Sequence, residues 1–524
     1  MHQTTHQIGR QYLHLELRGS QQQGLALQRD MAACCHLRLS PAIEAVLQRY
    51  APAEGHLLID RLEIDAGTIA LADLDRELPG RVARELGSWL AEHEAGTEGA
   101  LPAPAGGPDK IRYRTSLQML WQAFLFFVEN GSLPWSFRLV QGQGLEHRVG
   151  EFLAQAAAGG GTFSSMKADL HQVLQSGPAA RRLVLQFSEN FLGQLLALFS
   201  PTAAEELGRL LAIIAEWSGP AATEKKRLSE RLWQAALILA TAAREIDGKT
   251  LIVTAFPGSL SAGRASPGQR RGQLPPETAA SRLAAEIFAA TARGQDGPSA
   301  RRDRGLATGG KLPAARGGEA GAVLGGGGPV WQEPQNQWSI EDRGDREGLQ
   351  ADHRHHPEAG EGLYTASAGL VLLHPFLPQF FTAVHIVKEE RIVRFERALC
   401  LLHFLATGSE VAPEHELILA KILCGLPLLT PVQREVGLTE LEKEEAEGLL
   451  QAVIGHWQAL RSTSADGLRQ AFLRRPGKLS RRENGDWLLQ VESMTVDILL
   501  EQLPWGLTMI QLPWMRSMLW VEWR

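Results

Sequence analysis

Cysteine is scarce in this chain: Cys34, Cys35, Cys400 and Cys424 are the four thiols among 524 residues. That excludes a disulfide framework of the kind small secreted domains use. Cys34 and Cys35 are neighbours, and a bridge between them would be strained because disulfide Cα atoms sit about 5.5 Å apart. The thiols read as small buried apolar groups in a reducing compartment. Long hydrophobic runs are also missing. No window reaches the ~18 uninterrupted apolar residues of a membrane span. The opening MHQTTHQIGR has no apolar signal core, so no signal peptide or Sec-type export is expected. Charge of one sign is lacking too. A net charge of −6 excludes a chain basic throughout, and no nucleic-acid partner is expected.

Convincing catalytic constellations are absent as well. Gly305–Lys311 (GLATGGK) fits G-x-x-x-x-G-K, but a Walker loop follows a strand and continues into a magnesium-binding Ser/Thr. Here Leu312 follows and no apolar strand precedes. The histidines of Asp352–His356 (DHRHH) lie in low-complexity sequence with no groups to orient them as metal ligands. Pro413–Lys421 (PEHELILAK) lacks the second histidine of H-E-x-x-H, because position 419 is Leu. Glu414 and Glu416 read instead as first-turn acids of a helix. Asp60, Glu63 and Asp65 read as the wet face of a strand. Arg264, Arg270, Arg271, Arg301, Arg302 and Arg304 have no interleaved aromatics for base stacking. The expectation is a non-enzymatic protein with no catalytic, cofactor or metal residues.

What is present is mainly helical patterning, with small α+β units at the two ends. Residues 1–94 read as a β-α-β-α unit. Its strands are Tyr12–Arg18, where Leu13, Leu15 and Leu17 alternate with His14, Glu16 and Arg18, and His56–Gly67. In the second strand the apolar parity shifts at Asp60–Arg61, which a bulge would accommodate. Its helices are Leu25–Tyr50, broken or kinked near Pro41, and Leu71–Glu94. A Pro/Gly/Ala linker fills 95–110. Residues 111–256 form a helical middle domain: Ser116–Glu129 ends on a left-handed Asn130-Gly131 cap. Further helices are expected over Gly144–Ala157, Met166–Leu174, Ala179–Phe199, Thr202–Trp217 and Glu224–Glu245. A Gly/Pro-rich linker, flexible by its composition, spans 257–362. Residues 363–524 form a helical domain, with helices at Phe395–Ala406, Glu414–Cys424, Thr439–His456 and Ser464–Leu473, closed by strands at Trp487–Glu492 and Leu519–Trp523. FLFFVENGS (Phe124–Ser132) and LLHFLATGS (Leu401–Ser409) echo each other as apolar helix ends running into Gly-Ser.

The densest signal is at the end: Trp487, Trp505, Trp514, Trp520 and Trp523 crowd the last forty residues, and Leu-Pro-Trp occurs twice there. Large aromatics supply area and a fixed shape, and termini otherwise fray. The block is therefore a candidate docking surface. Its residues also permit core packing, with the two Leu-Pro-Trp turns stapling the last strand to the helices. With this block, Ala368–Phe381, Arg397–Gly408, Pro413–Leu428 and Ala452–Leu479 resemble the tape measure protein of contractile injection systems, as do Ile59–Gly67 and Gly131–Trp135 nearer the start. Ala66 departs from the family's larger aliphatic. The resemblance implies an assembly protein of bacterial phage-tail-like particles that sets inner-tube length from within the tube lumen. Its partners would be inner-tube and baseplate proteins, with self-association in several copies. It would be made in the bacterial cytoplasm and then enclosed in the particle. The alternative is an adaptor or chaperone that loads cargo into the same particle. If residues 257–362 are the ruler, they span on the order of 160 Å as helix and about 350 Å fully extended.

Overall fold

The computed structural model describes most of residues 6–94, residues 111–256 apart from four short gaps, and residues 362–523. The expected linkers, Gly305–Lys311 and Asp352–His356 lie outside the described residues. The protein is mainly helical with a few short strands.

In the N-terminal unit, the helical stretch expected to break or kink near Pro41 is irregular at that place. It widens into a π turn at Cys35–Leu39 and continues directly as α1 (Ser40–Arg49), which accommodates a proline within a helical run. Strand β1 (His56–Ile59) pairs antiparallel with β2 (Ile111–Arg114), from His56 opposite Arg114 to Ile59 opposite Ile111. The segment IRYR, expected to open a helical region, is thus a strand; its β-branched and aromatic residues suit a ladder. Ladder pairing ends at Ile59, yet Leu57, Ile59, Leu62 and Ile64 all pack on one cluster with Val46, Leu86 and Leu90. The parity shift therefore does return a single apolar face. Helix α2 (Leu74–Glu94) buries Leu74, Leu78, Val82, Leu86 and Leu90 at four-residue spacing. Pro79 within it frees the carbonyl of Asp75, which accepts from Arg38 Nη1 at 3.3 Å. The strand expected at Tyr12–Arg18 is not formed: residues 11–17 lie in no ladder.

Helix α3 (Ser116–Asn130) begins with a capping box, in which Thr115 and Gln118 exchange hydrogen bonds of 3.1 Å. It ends on Gly131 at φ 74°. Around it lie α4 (Leu145–Gly159), α5 (Phe163–Leu174), α6 (Gly177–Gln186), α7 (Glu189–Phe199), α8 (Pro201–Glu216), α9 (Ala222–Thr241) and α10 (Gly248–Ala255). The single helix expected over Ala179–Phe199 is two. Ser188 Oγ accepts from Phe191 N at 3.2 Å and restarts the chain as α7. The break turns Phe187 inward, onto Phe191 at 4.7 Å and Phe124 at 5.4 Å.

The C-terminal lobe packs α11 (Leu377–Ala383), α12 (Phe395–Thr407), α13 (Ile418–Leu423), α14 (Glu440–His456) and the short α15 (Ala465–Leu468) against a five-stranded sheet. The expected Glu414–Cys424 helix is a 3-10 turn followed by α13. The Ser464–Leu473 helix widens into a π turn at Arg469. The sheet comprises β3 (Leu363–Thr365), β6 (Gly477–Arg481), β7 (Trp487–Val491), β9 (Leu519–Trp523) and β8 (Met509–Ile510), in that spatial order. Between α11 and α12 lies a hairpin of β4 (Val387–Lys388) and β5 (Arg391–Ile392). β7 and β9 run parallel, Trp487 opposite Leu519 and Val491 opposite Trp523, so the chain between them must cross over. That crossover contains both Leu-Pro-Trp turns. Gly369 and Gly477 let the layers close, since a Cβ would lie 1.8 Å from the Phe472 carbonyl oxygen or 2.7 Å from Ala368 Cβ.

Candidate assembly site

The five C-terminal tryptophans meet their own lobe. Trp505 Nε1 donates to the Leu372 carbonyl at 3.1 Å, and its ring meets Phe376 edge-on at 5.2 Å. Trp514 Nε1 donates to Leu423 at 2.8 Å, satisfying a carbonyl at the C-terminus of α13 that has no partner within its helix. The two Leu-Pro-Trp turns thus staple the crossover to two helical segments. Trp520 Nε1 donates to Asp486 at 3.1 Å and Trp523 Nε1 to Asp497 at 2.8 Å. Asp497 is also clamped by Arg475 through two bonds of 2.6 and 2.8 Å. Burial raises the Asp497 pKa, but Arg475, the Met494 amide and Trp523 outweigh it and hold the carboxyl low. Three guanidinium groups cover tryptophan rings: Arg475 on Trp523, Arg481 on Trp487 and Arg482 on Trp520, at 5.4, 5.2 and 5.1 Å. Trp487 is buried; the other four are half-buried.

A second polar site, invisible in the sequence, joins the middle helices to the C-terminal lobe. Arg182 and Gln186 lie one turn apart on α6. The Arg182 side chain is fully buried and so is that of Glu414. Arg182 Nε lies 3.0 Å from both Glu414 oxygens. Its Nη1 donates to the carbonyls of Val128 and Glu129 at 2.7 and 2.8 Å, and Nη2 to that of Leu429 at 2.6 Å. Gln186 gives and takes: Glu414 N donates to its Oε1 at 2.9 Å and its Nε2 donates to Val432 O at 2.8 Å. From the other side Lys421 Nζ reaches Glu414 at 2.6 Å and the carbonyls of Leu428 and Thr430 at 2.8 and 2.9 Å. Every nitrogen of these two cations has a hydrogen-bond partner, which is what makes burying three charges tolerable. The planar fork of arginine is suited to this, binding a carboxylate and a helix end at once. Gly131 is required beside it, because a Cβ there would lie 2.3 Å from Glu414 Oε1. Glu414 is in the first turn of its 3-10 helix, as expected, and its buried side chain is the keystone of an interlobe clasp.

Around the clasp, His415 packs its ring edge-on against Phe127 of α3 at 5.7 Å. Burial, then the charges of His403 and Arg434, push the His415 pKa down to about 4. His403, at 4% exposure, is also held near 4, chiefly by burial. The helix echo has a structural counterpart. Gly408 ends α12 at φ 75°, as Gly131 ends α3. Arg469 Nε donates to the Leu405 carbonyl at 3.2 Å, three residues before its glycine, just as Arg182 serves Val128.

Of the remaining candidates, Glu63 and Asp65 are exposed, and Asp65 Oδ1 accepts from Gly67 N at 2.8 Å. No metal-holding group of three or more His, Cys, Asp or Glu occurs among the described residues. Nor is any described helix long and apolar enough to cross a membrane. Burial pushes the Cys34 thiol to about 11 and Cys400 to about 12, and raises Cys424 as well. None of the three is poised as a thiolate nucleophile.

The fold and these two sites define a helical scaffold whose ordered polar chemistry joins one part of the chain to another. The chain belongs to the contractile injection system tape measure protein family, which matches residues 5–523. Comparison with curated proteins and with solved structures gives no match.

Proposed function

We propose that this chain sets inner-tube length from inside the growing tube of a contractile injection particle, its C-terminal lobe docked to baseplate or inner-tube proteins. The tape measure family is structural rather than catalytic and acts in tube-length control. The observation that carries the finer reading is the clasp. Phe256 and Gly362, which flank residues 257–361, belong to two lobes that share a buried ionic contact. A segment leaving and re-entering one body reaches at most half its contour, about 175 Å if fully extended. The longest described helix, α2, has 21 residues and spans only about 32 Å. The folded lobes are anchors in this reading, and the intervening segment, or several copies together, provides the span.

The tryptophan block supplies the docking lobe with its shape, and the half-buried Trp505, Trp514, Trp520 and Trp523 meet the partner. Excising half of residues 257–361 tests the ruler: tubes shortened in proportion support it, and unchanged tubes in electron micrographs exclude the segment. Removal of the gene discriminates the alternative. Tubes of uncontrolled length fit length setting, whereas normal tubes lacking cargo fit an adaptor for cargo loading.

A further inference from the structure

One stretch patterned as a strand has no strand beside it among the described residues. Leu13, Leu15 and Leu17 are 37, 38 and 36% exposed, while the side chains of His14 and Glu16 are 89 and 92% exposed. Period-two alternation of this kind belongs to an extended backbone. His14 Nε2 and Glu16 Oε1 lie 3.9 Å apart across one intervening residue, as same-face neighbours do. No backbone group of residues 13–17 bonds to a described residue. An extended segment with one apolar face, whose backbone is bonded to no described residue, is a template for another chain.

The order of its residues says which chain. In antiparallel pairing centred on Leu15, Leu15 faces Leu15, Leu13 faces Leu17, and His14 faces Glu16 twice by symmetry. Each pair is apolar with apolar, or basic with acidic, the combinations that stabilise a ladder. Parallel pairing in register sets Glu16 against Glu16 and His14 against His14. Slipping the antiparallel register by one residue sets leucines against His14 and Glu16 and turns the leucine face outward. Centring on His14 or Glu16 again opposes like with like. The segment is self-complementary in one register. We propose that two copies of this chain pair through residues 13–17, antiparallel, with Leu15 on the two-fold axis. A ladder this short makes a weak dimer, one that is strengthened where copies are held together.

The test is sedimentation velocity on the full-length chain over a concentration series, with thermal melts confirming that each exposed-face variant is folded. Wild type should show reversible dimerisation. His14→Glu opposes two acids at each end of the ladder, and Glu16→Lys opposes two bases; each should weaken dimerisation roughly tenfold. The double variant H14E/E16K restores complementarity and should return to within about threefold of wild type. Register is read separately: a mixture of H14C and E16C chains should form an intermolecular disulfide on oxidation, with wild type as the control for native thiols. A chain that stays monomeric, a dimer indifferent to both single variants, or a double variant without rescue each overturns the proposal. Monomers would mean that the segment completes a sheet of its own chain or of another protein. The measurement uses purified chain, so it stands apart from the length-setting reading.

Discussion

Replacing Glu414 by Gln is the sharpest probe of the clasp. The change preserves shape and deletes the negative charge that lies between two buried cations, Arg182 at 0% and Lys421 at 2% side-chain exposure. Removing one partner of a buried, hydrogen-bonded charge group costs about 3–5 kcal/mol, because the remaining charge is left uncompensated. E414Q should lower stability by that amount in urea denaturation, with limited proteolysis reporting separation of the lobes. Burial lowers the Lys421 pKa, and Glu414 is the main group raising it. Without Glu414, the folded state favours neutral Lys421 more strongly. A base with a depressed folded-state pKa stabilises less as pH falls, so part of the E414Q deficit should be recovered at alkaline pH. An all-apolar trio, R182M/E414L/K421M, should not rescue the protein. It would strand the carbonyls of Val128, Glu129, Leu428, Leu429 and Thr430, each served now by one of the two cations. A loss below about 1 kcal/mol in E414Q, in the range of an exposed ion pair, would refute the clasp as a buried determinant.

The two glycine-capped helices give a matched comparison by thermal denaturation. Gly408→Ala should cost about 1 kcal/mol for its left-handed backbone alone. Gly131→Ala should cost several kcal/mol, since its Cβ also collides with Glu414 and opens the buried pair. His403 and His415 have folded-state pKa values near 4, against an ordinary 6.5, so folding favours their neutral forms. Their stabilisation is complete above pH 6.5 and is lost as pH falls from 6.5 toward 4. Between those limits each histidine adds a slope of about 1.4 kcal/mol per pH unit. His415→Phe, which keeps an aromatic on Phe127, should halve that slope in pH-dependent melts, and an unchanged slope would contradict the assignment. Glu389 and Glu390 form the β4–β5 turn at φ 51° and 59°, a conformation that favours Asn-Gly. Glu390→Gly should raise stability by about 1 kcal/mol.

Much of the helical layout was legible because it is carried by local signals. Thr115 with Gln118 and Thr439 with Glu442 form capping boxes, and Gly131 and Gly408 stop their helices in the left-handed region. The four-residue spacing of Leu74, Leu78, Val82, Leu86 and Leu90 is present in the sequence and coincides with the buried side of α2. Where local signals were ambiguous, the tertiary structure decided. IRYR became a strand because HLLI lies opposite it, whereas the better-patterned segment around Leu15 forms no ladder with any described residue. The Ala179–Phe199 run broke at Ser188 because Phe187 has an aromatic cluster to enter.

The clasp was beyond reach of the sequence for a physical reason. Arg182, Gln186, Glu414 and Lys421 are residue types that nearly always face water, and Arg182 and Glu414 are 232 positions apart. Only packing two lobes together removes the water, and only then does a helix end, a guanidinium and a carboxylate become one buried unit. By itself the sequence determined the ends of the glycine-capped and box-capped helices, the family, and the tryptophan-rich end. The tertiary structure decided that those tryptophans are bonded within their own lobe, and that two lobes far apart in the chain are held together by charge.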